Sequence, residues 1–187
     1  MKKWCEYKAA GIPAAFSALL WKKCRGTLKE KGGDAVKKKS LDRAMNGLSL
    51  LLLAGVTVWL CLTWGEIPGQ VPLHYNAAGQ IDRWGGKGTL MALGVIAWGM
   101  YGMLTAAERF PGAWNTDVKI TEENRERVYT LLGHLLSTLK GILCAMFVWI
   151  LAAAARCQPL SAWFLPVVLG AVFGDLADWF IRVFRAR

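Results

Sequence analysis

Residues 44 to 63 read AMNGLSLLLLAGVTVWLCLT, twenty positions without a charged side chain. As a helix rising about 1.5 Å per residue, this run matches a bilayer hydrocarbon core roughly 30 Å thick. Three more stretches, 89–107, 129–155 and 162–183, are long and apolar enough to follow it, although the last two carry His134, Lys140, Asp175 and Asp178. Trp64, Tyr129 and Trp163 fall near span ends, where amphipathic rings favour the headgroup level. The expected fold class is all-α integral membrane: a four-helix transmembrane bundle over 44–187, with an extracytoplasmic Pro/Gly-rich cap loop and an N-terminal interfacial helix in a basic segment, 1–43.

Charge sets the orientation, because short cytoplasmic loops retain Lys and Arg. Twelve precede the first span, four (Arg109, Lys119, Arg125, Arg127) lie in 108–128 and three (Arg182, Arg185, Arg187) end the sequence, against Arg83, Lys87 and Arg156 on the other side. Nineteen to three predicts a multi-pass protein of the cell inner (plasma) membrane, with both termini cytoplasmic and 64–88 outside. Of the net charge of +10, residues 1–43 hold +8, as twelve basic less four acidic side chains. Attraction to anionic lipid, about 1 kcal/mol per basic residue near the surface, accounts for that placement, so lipid and not nucleic acid is the expected partner. The apolar stretch 9–21 is too short to span, and WKKC follows it where a signal peptide needs small residues. It is expected to lie in the interface, followed by a basic linker. Cys5, Cys24, Cys61, Cys144 and Cys157 form no CxxC pair and are expected to be free thiols, with Cys5 and Cys24 open to acylation.

The segment 64–88 is dense in Pro and Gly. Pro68 and Pro72 bias Ile67 and Val71 towards extended backbone, while Asn76, Gly79, Gly85 and Gly86 tolerate positive φ. A compact cap is expected, with Val71, Leu73, Ile81 and Trp84 turned inward and His74 or Asp82 bonding the loop backbone. Glu66, His74, Asn76 and Asp82 are the ligand-type side chains present. One histidine among them falls short of a zinc set, so neither metal nor cofactor is expected. In 108–128, Phe110, Pro111 and Gly112 form a turn, and Thr121 before Glu122, Glu123 and Asn124 marks a helix N-cap.

The ordered set Ile67-Pro68, Val71-Pro72, His74-Tyr75-Asn76, Gly79, Asp82-Arg83-Trp84-Gly85 and Lys87 resembles the signature of a bacterial membrane domain of unknown function. That domain also forms the N-terminal part of the SdpI-type immunity proteins, which protect cells against a secreted killing peptide. Asn115 with residues 118–129 resembles their cytoplasmic connector, so the resemblance covers roughly 40–155. It implies a small multi-helix inner-membrane protein with Pro68, Pro72, His74, Asn76, Gly79 and Asp82 as marker positions. The Gly-Asn and Ile-Gly-Ile-Arg pattern of their C-terminal part has no counterpart here.

An ionisable group inside the bilayer costs a few kcal/mol and signals a partner or a path. Lys140, about 18 Å past Val128, leans towards its helix start, and Asp175, about 10 Å from Arg182, leans the opposite way. The two are therefore expected to pair, with His134 and Asp178 as a second pair or Asp178 bonded to Arg182 at i+4. The function expected from these features is non-enzymatic and SdpI-like: immunity to, or sensing of, a membrane-active peptide through an unidentified extracytoplasmic ligand. The alternatives are a small proton-coupled transporter using Lys140, Asp175 and His134, and an intramembrane enzyme.

Overall fold

Four helices, α1 (Ser40–Thr63), α2 (Gly88–Arg109), α3 (Arg125–Ala155) and α4 (Phe164–Arg185), are each long and apolar enough to cross a membrane, as a multi-pass membrane protein requires. The computed structural model describes residues 40–111, 114 and 121–185. The interfacial helix expected at 9–21, the basic linker, Cys5, Cys24, Asn115 and residues 118–120 lie outside the described residues. Two boundaries differ from expectation in a way that matters. The first helix begins at Ser40 and takes in Asp42, and the second runs to Arg109 and takes in Glu108.

The expectation of a purely helical fold is corrected between α1 and α2. There the chain forms an antiparallel hairpin of β1 (Gln70–Tyr75) and β2 (Ile81–Gly86), pairing Gln70 with Gly86, Pro72 with Trp84 and Tyr75 with Ile81. Pro68 leads into the first strand and Pro72 holds it extended, and the register slips between Pro72, which cannot donate to the ladder, and Tyr75. Asn76 builds the turn: its side-chain oxygen accepts the backbone N–H groups of Ala78 and Gln80, and its carbonyl accepts that of Gly79. Gly79 closes the turn at φ 78°, where a side chain is strained.

α3 is the hub. It packs against α1, α2 and α4, whereas α1 and α2 scarcely touch. Leu60, Leu90, Leu151, Ala154 and Ala155 cluster with Ile67 and Val71 at the hairpin end, and Leu53, Ala97 and Cys144 form a second apolar layer. Many large apolar side chains outside these layers, such as Leu62, Val95 and Phe173, are exposed, as a lipid solvent permits. The 31-residue α3 is about 46 Å long and the 22-residue α2 about 33 Å. Both are held in the cluster at the hairpin end, so the excess length of α3 falls at the opposite end.

α3 starts and stops by local bonding. Thr121 and Asn124 exchange bonds between side chain and backbone N–H, one turn ahead of the helix proper. At its far end Gln158 N–H reaches Ala153 O and Cys157 N–H reaches Ala154 O, a Schellman arrangement that puts Cys157 at φ 53°. A glycine usually stands there. The cysteine instead directs its Sγ to the Gln70 carbonyl at 3.6 Å.

Candidate functional site

The polar side chains inside the bundle gather at the end away from the hairpin. Lys140 is fully buried and its Nζ lies 2.6 Å from Glu108 Oε1. It also donates to Asn46 Oδ1, and to Thr105 Oγ1 at 3.1 Å, and sits 5.2 Å from the centre of the Tyr101 ring. Three acceptors meet the three ammonium hydrogens. Asn46 donates to the Asp42 carbonyl at 2.7 Å and to Ser137 Oγ at 3.5 Å, and Ser137 donates towards Glu108 at 3.4 Å. One continuous network thereby ties α1, α2 and α3 together.

The expected Lys140–Asp175 pair does not form. Thr138, not Lys140, is the α3 residue that faces α4, donating to Asp175 at 2.8 Å. Residues two apart on a helix point about 200° from each other, so Lys140 turns towards α1 and α2 when Thr138 turns to α4. His134 pairs with Asp42 of α1 and not with Asp178. Asp178 bonds Arg182 at 2.8 Å, the i+4 alternative. The relative heights of the helices explain the choice of partners: counted back from the hairpin-end cluster, His134 and Lys140 come level with the first turns of α1 and the last turns of α2. Glu108, Asn46 and Asp42 were not singled out in the sequence. The signal for Glu108 was a carboxylate one residue past the expected span end, within reach of a lysine that leans the same way.

At the hairpin end, His74 Nδ1 and Asp82 Oδ1 are 2.7 Å apart and largely exposed. They bond each other across the strands rather than the loop backbone. Val71 is fully buried and Ile81 partly so, but Leu73 and Trp84 are 47% and 50% exposed, contrary to the inward orientation expected of them. The slip in register beside Pro72 turns Leu73 to the open face, where it touches Gly85. The hairpin is clamped to the α3–α4 connection. Leu160 N–H donates to Gly79 O at 2.8 Å and the Tyr75 hydroxyl to the Gln158 carbonyl at 3.3 Å. Burial pushes the Tyr75 phenol up to about 12, with Cys157 adding a repulsive charge. Because the folded chain holds that proton above the usual tyrosine range near 10, stability should fall as pH rises from about 10 to about 12. Thermal melts across that range should show the decline, and Tyr75→Phe should flatten it.

A groove of about 810 Å³ opens between α1 and α2 on the hairpin side. Leu60, Cys61 and Trp64 form one wall, Met91, Gly94 and Trp98 the other. A smaller cavity of about 160 Å³ is lined by His134, Thr138, Asp175, Asp178, Trp179 and Arg182. Lys140 borders neither. Among the described residues, no three His, Cys, Asp or Glu side chains gather as a metal set.

Residues 50–100 match the family model described as Domain of unknown function (DUF1648). No curated protein and no solved structure shows a significant match. The matched segment holds the last turns of α1, the whole hairpin and the first half of α2. All of the expected outer-loop residues, Pro68, Pro72, His74, Asn76, Gly79, Asp82, Trp84 and Lys87, lie in it. So do both walls of the larger groove, whereas Glu108, His134, Lys140, Asp175 and Asp178 lie outside.

Proposed function

We propose that this chain is a non-enzymatic bacterial inner-membrane protein that recognises a membrane-active peptide at its hairpin end, as an SdpI-like immunity protein or a sensor. The nineteen-to-three basic bias supports an extracytoplasmic hairpin with cytoplasmic termini. The observation that carries the reading is the exposure of Leu73 and Trp84, beside Arg83, on a hairpin whose other side is fixed by Val71 and Gly79. Exposed aromatic and aliphatic groups on a rigid support lose little conformational entropy on binding, which suits recognition more than catalysis. The Lys140 network supports the same reading, because a fully bonded lysine serves as a fixed joint between helices.

Deletion of the gene should sensitise cells to membrane-active peptides. The wild-type gene should restore resistance, and the pair Leu73→Ser with Trp84→Ala should not, at equal protein abundance in membranes. Full protection by the double variant would refute the role of the hairpin face. Sensitivity unchanged by deletion would refute the reading altogether.

A small proton-coupled carrier is the second reading, favoured by the cavity that His134, Asp175 and Asp178 share. The buried Trp179 Nε1–H at its wall has no hydrogen-bond partner among the described residues. In a carrier, Asp175→Asn would abolish proton flux in vesicles while leaving peptide resistance intact.

A further inference from the structure

The groove between α1 and α2 covers one end of the bundle only. Along α2 its lining runs from Leu90 to Gly99, a rise of about 14 Å, close to half of a hydrocarbon core roughly 30 Å thick. At its deep end Ala97 packs with Leu53 and Cys144, and beyond that the network of Lys140, Asn46, Thr105 and Glu108 joins the helices. A partner helix crossing the whole bilayer would find this groove closed at mid-depth. A chain belonging to a single leaflet fits its length. The volume of about 810 Å³ also lies in the range of small-ligand sites.

The groove is chemically apolar inside and cationic at its mouth. Its inner hydroxyl, Thr57, is satisfied: it accepts the Trp98 indole N–H at 3.0 Å and donates to the Leu53 carbonyl at 2.7 Å. At the mouth, the Lys87 ammonium lies 5.2 Å from the centre of the Trp64 ring, with one long bond of 3.5 Å to the Trp64 carbonyl. Arg156 sits over Trp59 at the same end of the bundle, 5.1 Å from the ring centre. Among the described residues no carboxylate pairs with Lys87 or Arg156, and Asp82 is taken by His74.

We propose that the groove is a binding site for a phospholipid of the hairpin-side leaflet, with one acyl chain between α1 and α2 and its anionic headgroup at Lys87. An acyl chain needs no hydrogen bond from the walls, and the walls offer none. A phosphate at the mouth would give Lys87 a charged acceptor in place of one long carbonyl contact. The site is independent of the peptide reading, since Leu73 and Trp84 do not line it.

The test uses the full chain in nanodiscs of phosphatidylcholine with a fraction of phosphatidylglycerol, released for native mass spectrometry to count retained lipids. The wild type should retain one phosphatidylglycerol in preference to phosphatidylcholine. Lys87→Gln should reduce that preference about fivefold, the equivalent of about 1 kcal/mol for one basic residue near anionic lipid. Gly94→Trp should abolish retention of either lipid, because a Cβ at Gly94 meets nothing within 4 Å and its side chain would fill the groove. Gly170→Trp, equally unobstructed on α4, should leave retention unchanged. Equal retention by Gly94→Trp and wild type, or no headgroup preference in the wild type, would overturn the proposal. A photoreactive group at Met91 that cross-links to protein instead of lipid would overturn it too, assigning the groove to a peptide or a second copy.

Discussion

Lys140→Met should be the most damaging single change in the bundle. It takes the Lys140 ammonium away from the buried Glu108 carboxylate, and removing one partner of a buried pair costs about 3 to 5 kcal/mol. Asn46 and Thr105 would lose their shared donor as well. The double change Lys140→Met with Glu108→Leu should recover much of that loss, because apolar groups of similar volume often replace a buried ion pair at little cost. Lys140→Met with Asp175→Leu should recover nothing, since Asp175 bonds Thr138 on the other side of α3. Thermal denaturation of the purified single and double variants, arranged as double-mutant cycles, measures the two couplings separately. A coupling between Lys140 and Asp175 larger than that between Lys140 and Glu108 would reverse the assignment.

Gly79→Ala should release the hairpin while sparing the helices. At φ 78° an alanine is strained, at a cost of roughly 1 to 3 kcal/mol. Its Cβ would also stand 2.4 Å from the Leu160 carbonyl oxygen and 2.8 Å from the carbonyl carbon, both backbone atoms that cannot rotate away. The turn can relieve this only by withdrawing from the α3–α4 connection, which breaks the Leu160 N–H bond to Gly79 O. Proteolysis near Gln80 should therefore accelerate, and backbone hydrogen exchange at Leu160 with it, while exchange within α3 stays slow. Peptide resistance should fall in parallel if the hairpin is the recognition face. Unchanged protection at Leu160 would show that the contact is not a clamp.

The four spans were legible because the bilayer imposes one rule on sequence, about twenty apolar residues per crossing, and that rule is local. The special character of 64–88 was legible for a related reason: Pro68, Pro72, Asn76 and Gly79 restrict their own backbones, so a shaped segment follows before any packing is known. The outward turn of Leu73 and Trp84 was not legible. The face a strand residue takes depends on register, and here the ladder slips around His74 where Pro72 cannot donate. The partners of Lys140 and His134 were not legible either. Lean along a helix can be read from sequence, but rotation about its axis, and the level at which one helix meets another, are set by tertiary packing. The hairpin-end cluster sets the relative heights of α1, α2 and α3, which puts Lys140 beside Glu108 and His134 beside Asp42. Sequence by itself located four stretches able to cross a membrane, and where the chain must turn between them. Tertiary structure alone decided which buried charges meet, because pairing depends on the relative heights and rotations of helices far apart in the chain.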